Sequence, residues 1–247
     1  MIVELAGVKI DNLALEECVS KLEEFVAQRT PHLIVTPNPE IIVASQKDAK
    51  LKDIVNSADL RLADGISMIV VSRLLGRPLK ERVTGIDFVL AACERAASKK
   101  WSIFLLGSAP GVVKAAAEAL MSRYPGIRIS GYQDGYFSPE EEKGIITRIR
   151  GSKTDILFAG LGMGRQEKWL AEHLSELNVP VSMGIGGSLD VISGLKRRAP
   201  RFIRALYIEW LYRLVTEPWR WRRQLALPQF LWLTLIWYNL GLNEKIR

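Results

Sequence analysis

Short apolar runs that alternate with helical stretches predict an α/β protein, a mostly parallel sheet with helices on both faces, carrying a C-terminal helical appendage. Three observations lead there. Seven runs rich in Ile, Leu and Val are each too short for a helix, and most end in Gly, Pro, Asn or Asp. Helical patterns separate them, which suits crossover connections between parallel strands. Beyond about Gly194 the strand-like runs stop and only helical patterns remain.

The strands expected are 2–9, 32–36, 59–63, 102–106, 127–131, 155–159 and 180–185. The helices expected between them are 13–29, 39–56, 66–76, 85–99, 110–123, 138–150 and 164–177. Pro110 and Pro139 are placed in first turns, and Ser138 with Glu141 three residues on reads as a capping pair. The appendage reads as helices near 200–215, 217–224 and 228–241, punctuated by Pro218 and Pro228. The division expected is a body over 1–193 and an appendage over 194–247.

The chain has 247 residues, 48% of them hydrophobic and 25% charged, which excludes a disordered chain and a multi-span membrane protein. Its formal charge of +7 is unevenly spread. Residues 191–247 hold eleven basic and three acidic residues, a balance of +8, and five of the seven tryptophans. Residues 1–190 hold 23 basic against 24 acidic, a balance of −1. A basic, Trp-rich tail points to an anionic partner: a membrane surface, phosphate groups or nucleic acid. The uncharged run from Gln224 to Asn243 is read as one helix from Pro228 to Gly241. About 14 residues at roughly 1.5 Å each reach only about 21 Å, short of the roughly 30 Å hydrocarbon core. Trp232, Trp237 and Tyr238 favour the interface, so the run reads as an interfacial or packed helix. The same apolar run disfavours a nucleic-acid surface. Cys18 and Cys93, far apart in sequence, read as reduced core thiols, with a single disulfide as the alternative, and no signal peptide is legible at the N-terminus.

In open α/β sheets ligands bind beyond the carboxyl ends of the strands. There lie Thr36-Pro37-Asn38-Pro39-Glu40, Asp64-Gly65, Gly107-Ser108, Gly160 to Glu167 and Gly186-Gly187-Ser188-Leu189-Asp190. Gly-rich turns let backbone N–H groups and helix N-termini approach phosphate oxygens, although each alone is also an ordinary tight turn. None matches G-x-G-x-x-G or the P-loop, so a dinucleotide dehydrogenase or an NTPase has no support. Asp64 reads either as a general base at the site mouth or as a helix N-cap. Thr36 and Asn38, stiffened by two prolines, read either as sugar or phosphate contacts or as a capped turn. His32 and His173 lack ligand spacing, and there is no Asp-x-Asp, no G-x-S-x-G and no Cys–His pair. No metal and no cofactor are expected. Phosphate charge would then fall to helix N-termini and to arginines: Arg82, the helically spaced Arg197, Arg201 and Arg204, and Arg213, Arg220 and Arg223 among tryptophans, which read either as a phosphate clamp or as a solvated basic face.

Taken in order, these blocks resemble the TagA/WecG/CpsF family of bacterial glycosyltransferases. The matching residues are Thr36 to Glu40, Ala63-Asp64-Gly65, Arg82-Val83-Thr84-Gly85, Gly162 with Gln166-Glu167-Lys168-Trp169, Gly186-Gly187 with Asp190, Lys196-Arg197-Arg198-Ala199-Pro200, and Glu209 to Leu214 with Glu217-Pro218. Met163-Gly164-Arg165 departs from the proline-containing turn frequent among relatives. The resemblance implies a Rossmann-like body and an inverting, metal-independent transfer of N-acetylmannosamine. The donor would be its UDP conjugate and the acceptor the 4-hydroxyl of N-acetylglucosamine on undecaprenyl diphosphate. The product would be a β-1,4-linked lipid disaccharide for wall teichoic acid linkage units. Other UDP-sugars, UDP-ManNAcA or UDP-glucose, remain open as donors, and a non-catalytic binding module is the competing reading. Carried over by residue, Asp64 would be the base, and Thr36 and Asn38 would position the sugars. Gly107, Ser108, Gly162, Gln166, Gly186, Gly187 and Asp190 would bind the nucleotide-sugar. Arg82, Arg213, Arg220 and Arg223 would neutralise diphosphate. The resemblance also implies self-association and a peripheral seat on the membrane, on the cytoplasmic face.

Overall fold

The computed structural model describes residues 1–239. Its centre is a six-stranded parallel sheet made of β3 (His32–Val35), β4 (Leu60–Arg61), β5 (Ser102–Gly107), β6 (Arg128–Gln133), β7 (Ile156–Gly160) and β8 (Val181–Gly184), in the spatial order β4-β3-β8-β7-β5-β6. The strand period of two divides the core between the faces. Ile103, Leu105, Ile156 and Phe158 point to one face; Phe104, Leu106, Leu157 and Ala159 point to the other. Burial on both sides is why these strands read as unbroken apolar runs.

On the first face lie α1 (Leu15–Gln28), α5 (Gly85–Lys99) and α6 (Val112–Arg123). On the second lie α2 (Pro39–Ser45), α3 (Ala49–Ser57), α4 (Ile66–Leu74), α7 (Pro139–Gly151) and α8 (Arg165–Leu177). This is the expected α/β arrangement, with local corrections. The run 2–9 is not one strand but an antiparallel hairpin outside the main sheet, β1 (Ile2–Leu5) and β2 (Val8–Asp11). It turns at Ala6 and Gly7, both at positive φ, which matches the two-residue turn that right-twisted strands require. The helix expected over 39–56 breaks at Gln46 to Asp48, where the Asp48 carboxylate takes the Leu51 N–H at 3.0 Å and starts α3. Pro110 lies ahead of α6 rather than in its first turn, whereas Pro139 opens α7 and the Ser138 N–H donates to Glu141 at 2.8 Å. A short helix, α9 (Ser188–Ile192), follows the β8 glycines.

The appendage is more broken than its apolar pattern suggests. The expected 200–215 helix is two pieces, α10 (Arg201–Ala205) and α11 (Glu209–Thr216), parted where Tyr207 takes a left-handed φ of 59°. A 3-10 turn, Pro218–Arg220, leads into α12 (Trp221–Gln224) and α13 (Ala226–Asn239). Helix α13 begins two residues before Pro228, which a first turn accepts because its missing N–H would find no partner there. The end expected at Gly241 lies outside the described residues, as do the side chains of Trp237 and Tyr238. Among the described residues, no helix is long and apolar enough to cross a membrane. Helix α13 is fastened to the body by Phe230, fully buried in the second-face core, with Thr234 buried one turn on. Phe230→Ala should cost about 3 kcal/mol or more through lost burial and the cavity left behind, read as a fall in thermal midpoint.

Candidate active site

The carboxyl ends of the strands open into one cavity of about 1430 Å³, roofed by the appendage. Single-ligand pockets usually reach about 300–1,000 Å³, so there is room for two substrates side by side. Thr36, Asn38, Asp64, Arg82, Ser108, Gly162, Gln166, Gly186, Gly187, Asp190, Arg213, Arg220 and Arg223 all line it. Of the residues singled out from sequence, Gly107, Arg201 and Arg204 do not. Gly107 stands at the end of β5 with φ 121°, against the backbone of Gly160.

Asp64 follows β4 at the cavity floor. It does not cap α4, whose N-cap is Gly65 with no side-chain cap bond, so the capping alternative is set aside. Its backbone N–H donates to the Pro37 and Leu62 carbonyls, and its half-buried carboxylate receives a long 3.4 Å bond from the Gly85 N–H. Thr36 adjoins it: a methyl on Gly85 would lie 3.5 Å from Thr36 Cγ2 and 3.9 Å from Asp64 Oδ2. Burial pushes the Asp64 carboxyl up from 3.8 to about 6, against the opposing pull of Arg213, the Gly85 N–H and Arg82. Asn38 is the cap of α2, its Oδ1 accepting from the Ile41 N–H at 2.9 Å.

The glycine turns are held by side chains. Gln166 is buried with both ends of its amide in use: Oε1 accepts from the Gly186 N–H at 3.0 Å and Nε2 donates to Glu167 Oε1 at 2.8 Å. The other Glu167 oxygen takes the Gly164 N–H at 2.7 Å, and full burial raises that carboxyl above its ordinary range. Gln166 thus braces the Gly186 turn against α8. Ser108, at a positive φ of 60°, donates its hydroxyl to Asp190 Oδ1, and the second Asp190 oxygen meets Lys196 at 2.9 Å.

Three cavity arginines of the appendage are each tied to a carboxylate. Arg213 donates to Glu209 at 2.8 Å, Arg220 bonds Glu217, and Arg223 meets Glu40 of α2 at 2.6 Å. Arg82, from the body, faces Glu209 at 3.7 Å and lies over the Tyr207 ring at 5.5 Å. Lys196, Arg197, Glu209 and Glu217 also line the cavity; all four stand in the family-matching blocks, but from sequence only Arg197 reads as a phosphate contact. The signal was there: both acids precede a cavity arginine by one helical turn, Glu209 before Arg213 and Glu217 before Arg220. No cluster of three or more His, Cys, Asp or Glu residues suited to a metal occurs among the described residues. Cys18 and Cys93 are free and buried, with their thiols pushed up to about 12 by desolvation.

Residues 3–244 match the model of the glycosyl transferase WecG/TagA/CpsF family. Among curated proteins, the chain is 37% identical to an N-acetylglucosaminyldiphosphoundecaprenol N-acetyl-beta-D-mannosaminyltransferase of Bacillus spizizenii, over 87% of this chain and 84% of that protein. A protein of the same name from Bacillus subtilis is 36% identical, over 89% of this chain and 85% of its own. One from Staphylococcus aureus is 35% identical, over 93% of this chain and 91% of its own.

Proposed function

Because this chain belongs to the WecG/TagA/CpsF family of glycosyltransferases, we propose that its strand-end cavity moves N-acetylmannosamine from UDP to the 4-hydroxyl of N-acetylglucosamine on undecaprenyl diphosphate, with inversion. The observation that carries this reading is Asp64: a carboxylate at the cavity floor, raised to about 6 and flanked by two guanidinium groups. Such a base is ionised at neutral pH yet binds a proton more tightly than an exposed aspartate. It takes the acceptor hydroxyl proton as that oxygen attacks the anomeric carbon. The bond from that carbon to the UDP oxygen breaks on the opposite face, and the departing charge moves onto the diphosphate. Thr36 and the free amide nitrogen of Asn38 orient the sugars beside the base. The turns of Ser108, Gly162 and Gly186-Gly187, with Asp190, hold the nucleotide side, while Gly107 and Gln166 fix the shape of those turns. Arg82, Arg213, Arg220 and Arg223 meet the two diphosphates.

The appendage exposes Phe202, Trp210, Trp219, Trp221 and Trp232 beside its arginines, a combination suited to the headgroup region of an anionic bilayer. We read it as a peripheral attachment on the cytoplasmic face that brings the cavity mouth to the lipid acceptor.

A transfer assay with UDP-N-acetylmannosamine and a diphosphate-linked N-acetylglucosamine lipid tests the reading, run with and without anionic vesicles. Turnover is expected, faster by tenfold or more with vesicles and unchanged by EDTA. UDP-glucose and UDP-ManNAcA are expected to react more slowly. No transfer from any UDP-sugar, or salt-sensitive DNA binding without vesicle binding, overturns it.

A further inference from the structure

Glu209 is the first residue of α11 and is only 7% exposed. An acid at a helix start is ordinarily a solvated partner of the helix dipole, worth a fraction of a kcal/mol. This one is buried, and it looks into the cavity rather than to solvent. Its two oxygens face two different parts of the molecule: Oε1 receives Arg213 of the appendage at 2.8 Å and Oε2 faces Arg82 of the body at 3.7 Å. Both guanidiniums also act on Asp64. Four groups therefore meet across the cavity, Asp64 and Arg82 from the body and Glu209 and Arg213 from the appendage, and their charges sum to zero.

We propose that Glu209 is a positioning residue of the transfer site, clamping Arg82 and Arg213 beside Asp64 and cancelling one of their two charges. The inference rests on the transferase reading and adds to it a role for an acid that touches no reacting atom. Without Glu209, the Asp64 carboxylate faces two uncompensated cations. They hold it ionised to lower pH and make it a poorer base, and Arg82 and Arg213 lose their common tether. The groups facing Glu209 are Arg213 on its own helix, and Arg82 and Asp64 from the body; the Tyr207 ring lies on Arg82.

The test is Glu209→Gln, which keeps the shape and removes the charge. The acid limb of the kcat profile is expected to move about one pH unit lower, and KM for the diphosphate substrates to change several-fold. In the double variant Glu209→Gln/Arg82→Gln, which removes one charge of each sign, the limb should return to the wild-type position. Should the single variant not fold, the double variant is read against Arg82→Gln alone, in which the limb should lie about one unit higher than in the double variant. A limb that stays at the wild-type position in Glu209→Gln, or one displaced in the double variant, overturns the proposal. Titration of the Asp64 carboxyl by carbon NMR reads the same shift without substrate. It therefore separates failure of this inference from failure of the transferase reading, which shows as absent turnover in the wild type.

Discussion

Asp64→Asn should lower kcat by about a thousandfold while the protein still folds and still binds UDP, since a positioned base contributes roughly 10²–10⁴-fold. The amide keeps the size of the carboxylate and can still face the Gly85 N–H, so the loss isolates proton transfer from packing. In the wild type, turnover should fall below pH of about 6 as Asp64 is protonated. Stability should move in the opposite sense. A carboxyl whose pKa is raised on folding binds its proton more tightly when folded. Its ionisation therefore weakens the fold as pH rises from about 4 to about 6. The thermal midpoint of Asp64→Asn should exceed that of the wild type at pH 8, with the gap closing near pH 4. A variant that retains full turnover removes Asp64 as the base. A gap that widens toward acid removes the buried-carboxylate account.

Gly107→Ala should remove the folded protein rather than the reaction alone. A methyl group there would lie 2.3 Å from the Gly160 carbonyl oxygen and 2.8 Å from its nitrogen, and φ is 121°. Both are backbone atoms of Gly160 at the end of the adjacent strand β7, which is tied to β5's end by the Ser108 N–H to the Gly160 carbonyl at 3.1 Å. Neither can step aside without parting β5 from β7. The expected cost is about 4 kcal/mol or more, among the largest for a single methyl. Gly162→Ala is the control: φ is 92° but nothing lies within 4 Å, so only backbone strain of about 1–2 kcal/mol is expected. Denaturant midpoints for the two variants decide the matter. Wild-type stability in Gly107→Ala would remove the close approach as the reason for this glycine.

The sheet was legible because its strands are buried on both faces, which leaves a continuous apolar signature. What stayed hidden lay in backbone conformation. Ala6 carries no mark of a hairpin turn, so β1 and β2 merged into one run. Tyr207 at positive φ splits a helix whose apolar spacing continues across the break. Asp48, an ordinary surface acid by composition, turned out to start a helix. At the site, strand-end position alone brought Asp64, Thr36 and Ser108 into one cavity, because topology gathers every strand end on a single edge. Glu209 and Lys196 stand in the matching blocks yet drew no role, for a different reason. In a strongly basic segment an acid reads as background and one more lysine as surface. Their importance lies in the opposite charges across the cavity, which a linear string does not display.

The appendage joins the body in two unlike ways. Near its start the links are ionic: Lys196 to Asp190, Arg198 to Asp87 at 2.5 Å, and Glu209 to Arg82. At its far end Phe230 is sunk in apolar core. These ion pairs are partly buried, so dissolved salt weakens them less than it would exposed pairs, and it leaves the apolar contact untouched. Arg223 adds an ionic tie to Glu40 beside the far end, so the apolar seat of Phe230 is what should hold α13 in place at salt concentrations that weaken the ion pairs. An anion entering the cavity would meet Arg82 and Lys196, two of the cations that also tie these helices to the body.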